Sequence, residues 1–482
     1  MNLIKKFVEF AIGNGIVLIL GFISTPLITR IINPNEMGKY SMFDTITNLL
    51  ILLASLGIDQ SYVRYYYDEG KFNRGKLLRK CIGIAIIVSI AIATIVLILY
   101  KPISIYIVEE KSLLIVVLLI INLLVGIFAR FSMLQIRMRQ RGKLYSFLSI
   151  LLKASYLLLV PLFFFIYDNN YKTIVMAIII SNIIVSITAI FMEREEWFKF
   201  KTSKELKTSA SEILRYGVPL LFSASVIWIF QSIDRMSIKY FCGAFELGLY
   251  SGAMSIIALL NAVQVAFTTF WVPVAYERYS INPENKEFFS KVNKIISVVM
   301  LLMAIGLIAT KDIIVLLLGE KYRQAAFIFP YLVFMPMMYT ISETTVLGIN
   351  FKKKTKNHIY IATISAVFNI ICNFLLVPKY GAIGAAVSTG LAYIVFFATR
   401  TFISNLYYKV NYNIGRFSIC TIITYILATY SSFHKFNIVI LVLTIISVSV
   451  IGILYRDIFT ECLNLLKSKF KEKAKREFTS KL

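Results

Sequence analysis

The chain has 482 residues, with 51 Lys+Arg against 26 Asp+Glu, so its formal net charge is +25, and it is 58% hydrophobic but only 16% charged. Since ordinary soluble domains are about 25% charged, this composition excludes a soluble enzyme, a disordered protein and a disulfide-stapled secreted scaffold. It is typical of an all-α polytopic membrane protein. The basic excess then indicates topology, and no nucleic-acid partner is expected.

Fourteen apolar stretches are long enough to be predicted as membrane spans, since a bilayer core needs about 20 apolar residues per helix. They are 9–31, 41–62, 81–100, 113–135, 144–167, 172–192, 213–234, 247–272, 295–310, 325–349, 357–377, 382–399, 417–433 and 437–455. The start is basic, but the apolar run behind it exceeds 20 residues without a small-residue cleavage site, so no cleavable signal peptide is predicted.

Basic residues alternate between the loops as the positive-inside rule requires. With the N-terminus inside, the predicted cytoplasmic segments hold 37 Lys+Arg and the outside segments 12. Since one missed span would invert every later loop, the bias indicates an even number of spans and two cytoplasmic termini. The many Ile, Lys and Asn residues indicate an AT-rich bacterial genome, and the expected location is the bacterial cytoplasmic membrane.

A short sequence echo predicts an internal duplication. The residues EMGKYS at 36–41 open the second span, and ELGLYS at 246–251 open the eighth, with four of six positions identical. Both copies begin on the outside, so the two halves are related by an axis along the membrane normal. The predicted organisation is an N-lobe at 1–200, a C-lobe at 201–410, two additional spans at 411–455 and a basic tail at 456–482. The tail either lies on the anionic inner leaflet or is solvated.

Ionisable residues within the first spans are candidate functional groups, because a charge at the bilayer centre costs roughly 2.5–3.5 kcal/mol on insertion scales. Lys153 lies about nine residues into its predicted span, which corresponds to a depth of roughly 13 Å at about 1.5 Å per residue. We expect it to face a lumen or to form a structural ion pair. Arg130 faces the lumen or reaches back to the cytoplasmic surface. Asp59 pairs with Arg64 or exchanges a proton, and Asp44 lies on the same helical face.

Polar residues also follow one face of several later spans. Trp228 either stacks on a sugar or packs in the core, and Glu343 either takes up a proton or is bonded into the packing. The remaining candidates of these spans are Gln231, Asp234, Arg235, Asn261 and Gln264. A hydroxyl moved into hydrocarbon without a partner costs several kcal/mol on cyclohexane-type scales, about 4–8. A hydroxyl-rich, cationic path therefore indicates a hydroxylated, anionic head group as cargo, whose phosphate the cations hold.

The scarce cysteines and histidines limit other chemistry. No metal, cofactor or catalytic nucleophile is expected, because the residues are scattered and no cysteine pair is spaced as CxxC. We interpret them as single apolar or surface positions: Cys81, Cys242, Cys372, Cys420, Cys462, His358 and His434.

Several short motifs, in their order and spacing, resemble those of Wzx-type oligosaccharide flippases, which belong to the multidrug/oligosaccharidyl-lipid/polysaccharide exporter superfamily. They are PLITR at 26–30, EMGKYS at 36–41, GIDQSYVRYY at 57–66, the passage 234–251, and the passage 369–386 from NIICN to GAIGAA. The resemblance covers nearly the whole chain. It implies a V-shaped fold of two six-helix lobes plus two C-terminal helices. It also implies alternating access for a polyprenyl-pyrophosphate-linked oligosaccharide moved from the inner to the outer leaflet for surface polysaccharide synthesis.

Residues carried over with the matching motifs are Arg30, Asp59, Arg64, Asp234 and Arg235. The expected lumen residues are Arg30, Arg64, Arg130, Lys153, Trp228, Gln231, Arg235, Asn261 and Gln264. The expected ion-coupling candidates are Asp44, Asp59, Asp234 and Glu343. Expected partners are the lipid-linked oligosaccharide, membrane lipids and polysaccharide polymerase machinery.

Three alternatives stay open. A cation-coupled multidrug extruder of the same superfamily is disfavoured because the first span lacks an intramembrane carboxylate: Glu9 lies at its edge. A membrane polymerase or ligase is disfavoured because the outside loops are short. A flippase for the lipid-linked peptidoglycan precursor shares the fold, and these motifs do not separate it from the main prediction.

Overall fold

A computed structural model describes the backbone of residues 3–198 and 206–461, and the side chains of 15–198 and 206–461. The described residues are about 88% helical, and they contain no β-strand. The prediction of an all-α fold is therefore confirmed. The basic start, Cys462 and the predicted tail beyond residue 461 lie outside the described residues.

The helices follow the predicted apolar stretches closely. In the first half they are α1 Leu3–Ile31, α2 Pro34–Ser55, α3 Ile58–Tyr65, α4 Arg74–Ile98, α5 Tyr100–Val108, α6 Leu113–Met138, α7 Gly142–Tyr167, α8 Tyr171–Met192 and α9 Arg194–Phe198. In the second half they are α10 Ala210–Ile281, α11 Lys286–Ala309, α12 Lys311–Ile314, α13 Phe329–Leu332, α14 Phe334–Thr345, α15 Leu347–Phe351, α16 Lys356–Tyr407, α17 Ile414–Ser431 and α18 Ile438–Leu454. Two 3₁₀ segments, Val315–Leu317 and Glu320–Phe327, precede α13.

Each predicted span coincides with a helix, a bent helix pair or half of a long helix. By length and composition alone, eight of the described helices are able to cross a membrane, or up to ten when each bent pair counts as one span. The pair α2 and α3 is bent by 50°, and the pair formed by Glu320–Phe327 and Phe329–Thr345 by 56°. The number fourteen stays a prediction.

The two longest helices each contain one glycine with non-helical backbone angles. The residue after each glycine donates its backbone N–H to a glutamate side chain. Gly243 in α10 has φ 83°, and Gly381 in α16 has φ 57°, a region that favours glycine because it has no Cβ. The N–H of Ala244 donates to Oε1 of Glu109 at 2.9 Å, and the N–H of Ala382 donates to Oε2 of Glu246 at 3.0 Å. Carboxylates stabilise a helix start because its first N–H groups have no partner within the helix.

Glu109 lies at the end of α5, outside the predicted spans. Burial raises the pKa of this carboxyl, but hydrogen bonds from Lys239 and Ala244 outweigh burial and lower the pKa below its ordinary value. Because the pKa is lowered on folding, the contact stabilises the fold fully at a pH above the ordinary carboxyl pKa. This contribution is lost as the pH falls through the lowered pKa.

The chain divides into two compact units. The first comprises residues 1–255, 316–325 and 366–388, and its apolar core is built mainly from α2, α4 and α6 around Phe43, Tyr62 and Phe131. The second comprises 256–315, 326–365 and 389–482, with a core around Trp271 and Phe289. Trp271 is 1% exposed and packs between the rings of Phe267 and Phe288. The predicted lobes 1–200 and 201–410 remain a prediction.

Three loops predicted to be cytoplasmic lie side by side in the first unit. The Tyr67 hydroxyl donates to the carbonyl of Met138 at 2.9 Å. Arg139 and Arg141 both bind the fully buried carboxylate of Glu193. The loops after the second, fourth and sixth predicted spans therefore share one side, as the alternation of basic residues requires.

Candidate functional site

Two cations and one carboxylate meet within the helices of the first unit. Asp44 of α2 interacts electrostatically with Arg235 of α10 and with Lys153 of α7. The hydroxyls of Tyr40 and Tyr156 are hydrogen-bonded to each other. The ammonium of Lys153 lies 6.0 Å from the centroid of the Tyr156 ring. We call these five residues the cationic cluster.

The helical repeat explains how the cationic cluster forms. Tyr40 and Asp44 are four residues apart on α2, and Lys153 and Tyr156 are three apart on α7, so each pair shares one helical face. Lys153 and Arg235 are both partly buried. Two cations face one carboxylate, so the cationic cluster keeps a net positive charge inside apolar helices, where an anion gains more than it would in water.

A second intramembrane ion pair joins two predicted site residues. The guanidinium of Arg130 on α6 reaches the Oδ2 of Asp59 through Nη2 at 2.6 Å and through Nε at 3.2 Å. Asp59 is 4% exposed. Arg64 instead pairs with Asp68 at 2.8 Å at a half-exposed position. The Asp59–Arg64 alternative is therefore replaced by an Asp59–Arg130 pair.

Glu343 forms a buried ion pair in the second unit. Its Oε1 lies 2.8 Å from Nη2 of Arg400, and another nitrogen of Arg400 donates to the Ser342 hydroxyl at 2.6 Å. Both side chains of the ion pair are less than 10% exposed. Sequence reasoning missed Arg400 because the predicted twelfth span ended one residue before it, which assigned the arginine to a loop. The continuation of α16 to Tyr407 places it within the helix.

Glu343→Gln is expected to lower stability strongly. Removal of one partner leaves the Arg400 charge buried without compensation, which costs about 3–5 kcal/mol. We expect a clear fall in the melting temperature of the purified protein. Glu287→Gln, at an exposed position of the same unit, is the matched control, and Glu343→Gln combined with Arg400→Gln should recover part of the loss. An unchanged melting temperature would contradict a stabilising pair.

Asp234 lies in a buried polar site of the first unit. Its Oδ1 accepts hydrogen bonds from the amides of Asn369 at 3.1 Å and Asn373 at 2.8 Å, and its Oδ2 accepts one from the Tyr250 hydroxyl at 3.3 Å. The carboxylate is 4% exposed. Asp234 thus accepts hydrogen bonds from three uncharged donors at a buried position, next in sequence to Arg235 of the cationic cluster.

The remaining predicted site residues are spread more widely. Arg30 and Gln231 are exposed, and Trp228 is partly buried. Asn261 and Gln264 are partly buried and belong to the second unit. The structure therefore brings Asp44, Lys153 and Arg235 together and pairs Asp59 with Arg130, whereas the full lumen set stays a prediction.

The residues of the sequence echo contact one another directly. The Ser251 hydroxyl donates to that of Ser41 at 2.9 Å, across a separation of 210 residues that equals the offset of the echo. A Cβ added to Gly38 would overlap the carbonyl oxygen of Ala244, and one added to Gly248 would overlap that of Pro34. Gly38 corresponds to Gly248, and Pro34 to Ala244, under the same offset of 210 residues, so each glycine contacts the counterpart of the other's partner. This symmetry supports the predicted duplication. We call this the reciprocal glycine contact.

The comparisons with known proteins define the family. Residues 3–279 match the model of the polysaccharide biosynthesis protein family. The chain therefore belongs to this family, as the flippase-like motifs predicted.

Two relatives match most of the chain. The chain is 23% identical over 418 residues to the Lsg locus putative protein 1 of Haemophilus influenzae, covering 80% of this chain and 96% of that protein. It is 22% identical over 413 residues to the capsular polysaccharide biosynthesis protein CapF of Staphylococcus aureus, covering 82% and 97%.

Solved structures show the same fold in transporters. An inward closed conformation of the lipid II flippase MurJ matches with a TM-score of 0.72 at 17% identity, covering 94% of this chain and all of that chain. An inward-facing multidrug resistance transporter of the MATE family in the MOP superfamily matches with a TM-score of 0.60 at 13% identity, covering 83% and 97%. The predicted exporter fold is confirmed, and the chain is a multi-pass membrane protein with the fold of transporters.

Proposed function

We propose that the protein is a flippase that moves a polyprenyl-pyrophosphate-linked oligosaccharide from the inner to the outer leaflet of a bacterial cytoplasmic membrane, for the synthesis of a surface polysaccharide. The observation that carries this proposal is the cationic cluster, in which Lys153 and Arg235 both interact electrostatically with the carboxylate of Asp44 on largely apolar helices. Membership of the polysaccharide biosynthesis family supports the carbohydrate part of the cargo.

The charge of the cationic cluster fits a phosphorylated cargo. An excess cation within the membrane needs an anion, and charged hydrogen bonds to phosphate are about twice as strong as neutral ones. The hydroxyls of Tyr40 and Tyr156 add hydrogen-bonding groups of the kind that a sugar requires on its way through hydrocarbon.

A separate groove in the second unit suits a lipid chain. It has a volume of about 530 Å³ and lies between α14, α16 and α17. Its lining is dominated by apolar side chains, which include Phe397, Phe402 and Ile422. An isoprenoid chain could stay in such a groove or in the bilayer while the head group crosses, which supports a lipid-linked rather than a free oligosaccharide.

A reconstitution experiment separates this function from drug extrusion. Liposomes containing the purified protein and a polyprenyl-pyrophosphate oligosaccharide are treated with a membrane-impermeant glycosidase, and the digested fraction is followed over time. We expect digestion beyond the outer-leaflet half only when the protein is present. Efflux of a cationic dye without any movement of several glycans would overturn the proposal in favour of the multidrug extruder.

Asp234→Asn is expected to uncouple transport from an ion gradient. The buried carboxylate is the proposed coupling group because it accepts hydrogen bonds from two amides and a phenol, and proton or Na⁺ uptake would change its charge within that polar site. In the liposome assay, a proton or Na⁺ gradient should accelerate the wild-type protein severalfold but leave the variant unchanged. Asp68→Asn, at a half-exposed pair, is the control. Intact gradient dependence in Asp234→Asn would contradict this role.

A further inference from the structure

A polar pocket lies where the three neighbouring loops of the first unit meet, away from the cationic cluster. Its volume is about 430 Å³. Three cations, two tyrosines and one carboxylate dominate the lining, which consists of Tyr66, Tyr67, Lys71, Arg74, Met138, Arg139, Gln140 and Glu196. We call it the loop pocket. The proposed transport path does not use it.

The cations of the loop pocket are unequally neutralised. Arg139 binds the buried Glu193. Arg74 instead lies over the rings of Tyr66 and Tyr67, at 4.5 and 5.0 Å from their centroids, and its Nε donates to the carbonyl of Tyr66 at 3.1 Å. In the described part of the chain, no carboxylate lies within 4.0 Å of Arg74 or Lys71. Arg74 does interact electrostatically with Glu196 of the lining, but neither cation forms a close ion pair there, so both can bind a ligand anion.

The remaining charges also favour an anion. Burial raises the pKa of Glu196, the carboxyl of the lining, so it is protonated at a higher pH than an ordinary glutamate. The helix α4 begins at Arg74, and the N-terminus of a helix carries partial positive charge. An anion in the loop pocket thus meets two available cations and a favourable helix end.

Exposed aromatic rings around the loop pocket indicate a membrane surface. Phe72, next to Lys71, is 88% exposed, and Phe198 and Tyr67 are 60% and 55% exposed. Large exposed rings are unfavourable in water, and tyrosine is enriched where a helix meets the lipid head groups. These rings, together with the predicted cytoplasmic position of the loops, favour a location of the loop pocket at the inner membrane surface.

We propose that the loop pocket binds the phosphate of an anionic phospholipid head group, with Lys71 and Arg74 as its ligands. The site goes beyond the proposed transport function, because it would hold a resident lipid of the inner leaflet and not the cargo. Each cation near such a surface changes binding about fivefold.

Native mass spectrometry of the full-length protein in detergent tests this site. The added probes are phosphatidylglycerol, phosphatidylcholine and inorganic phosphate. We expect more bound phosphatidylglycerol than phosphatidylcholine, about fivefold less phosphatidylglycerol in Lys71→Gln and in Arg74→Gln, and no preference in the double variant. Lys143→Gln, at an exposed cation in the first turn of α7 and outside the lining, should bind as the wild-type protein does.

Three outcomes would overturn the proposal. One is equal retention of both lipids by the wild-type protein. Another is unchanged phosphatidylglycerol retention in the double variant. The third is stabilisation by inorganic phosphate that depends on Lys71 and Arg74 without any lipid preference, which would indicate a soluble phosphate compound. Lys71 is exposed, so Lys71→Gln alone keeps the test valid if the Arg74 variant folds poorly.

Discussion

Lys153→Ala and Arg235→Ala are each expected to lower transport of a lipid-linked oligosaccharide about tenfold to a hundredfold. A hydrogen bond to a charged group contributes roughly 1.5–3 kcal/mol, and about 1.4 kcal/mol corresponds to a factor of ten. Because both cations surround Asp44, the double variant should be inactive. Initial rates in the glycosidase assay, with equal amounts of folded protein, measure the effect.

Controls separate substrate binding from a structural ion pair. Lys101→Ala, at an exposed position of the same unit, should transport normally, and Lys153→Arg should keep much of the rate. If Lys153 served only to neutralise Asp44, then adding Asp44→Asn to Lys153→Ala would restore transport. We expect no restoration, because the phosphate would still lack its cation. Full recovery in that double variant would remove Lys153 from the substrate site.

Gly248→Ala is expected to disrupt the reciprocal glycine contact and to lower both stability and transport. The new Cβ would overlap the carbonyl oxygen of Pro34, and a backbone atom cannot turn away as a side chain does. Overpacking of this kind costs about 1–3 kcal/mol or more, which corresponds to several degrees of melting temperature. Gly38→Ala should behave alike, since its Cβ would meet Ala244 in the same way.

Gly83→Ala is the matched control for the glycine variants. It lies within α4 of the same unit, and a Cβ there would meet no atom within 4 Å. Alanine is favoured over glycine in a helix by up to about 1 kcal/mol, so Gly83→Ala should melt at the same or a higher temperature. Equal melting temperatures and rates for Gly248→Ala and Gly83→Ala would show that the helices do not need the close approach.

The sequence was sufficient to predict the helices and the shared helical face of neighbouring polar residues, because both follow from local spacing. The period of 3.6 residues puts Lys153 and Tyr156 on one side of α7, and long apolar stretches define the spans. Local spacing could not predict which residues distant in the sequence form ion pairs or hydrogen bonds with each other. Asp59 pairs with a residue 71 positions away, and Asp234 with amides 135 and 139 positions away. Local patterns contain no information on such distant contacts.

The sequence echo is the exception, because it relates residues that are 210 positions apart and contact one another in the structure. A match between 36–41 and 246–251 predicted a duplication, and the structure shows Ser41 bonded to Ser251 and two glycines in reciprocal contacts. Residues near a symmetry axis contact their own counterparts, so a repeat in sequence becomes a contact in space. Arg400 was missed for the opposite reason, because a single residue at a predicted boundary decided between helix and loop.

The central claim is that the protein moves a lipid-linked sugar by holding its anionic phosphate at the cationic cluster. The most direct measurement compares two cargoes in the same liposomes: one oligosaccharide carried on polyprenyl pyrophosphate, and the same oligosaccharide carried on an uncharged lipid. We predict protein-dependent exposure of the pyrophosphate-linked sugar to the external glycosidase and little exposure of the uncharged one. Equal transport of both cargoes, or of neither, would contradict the account.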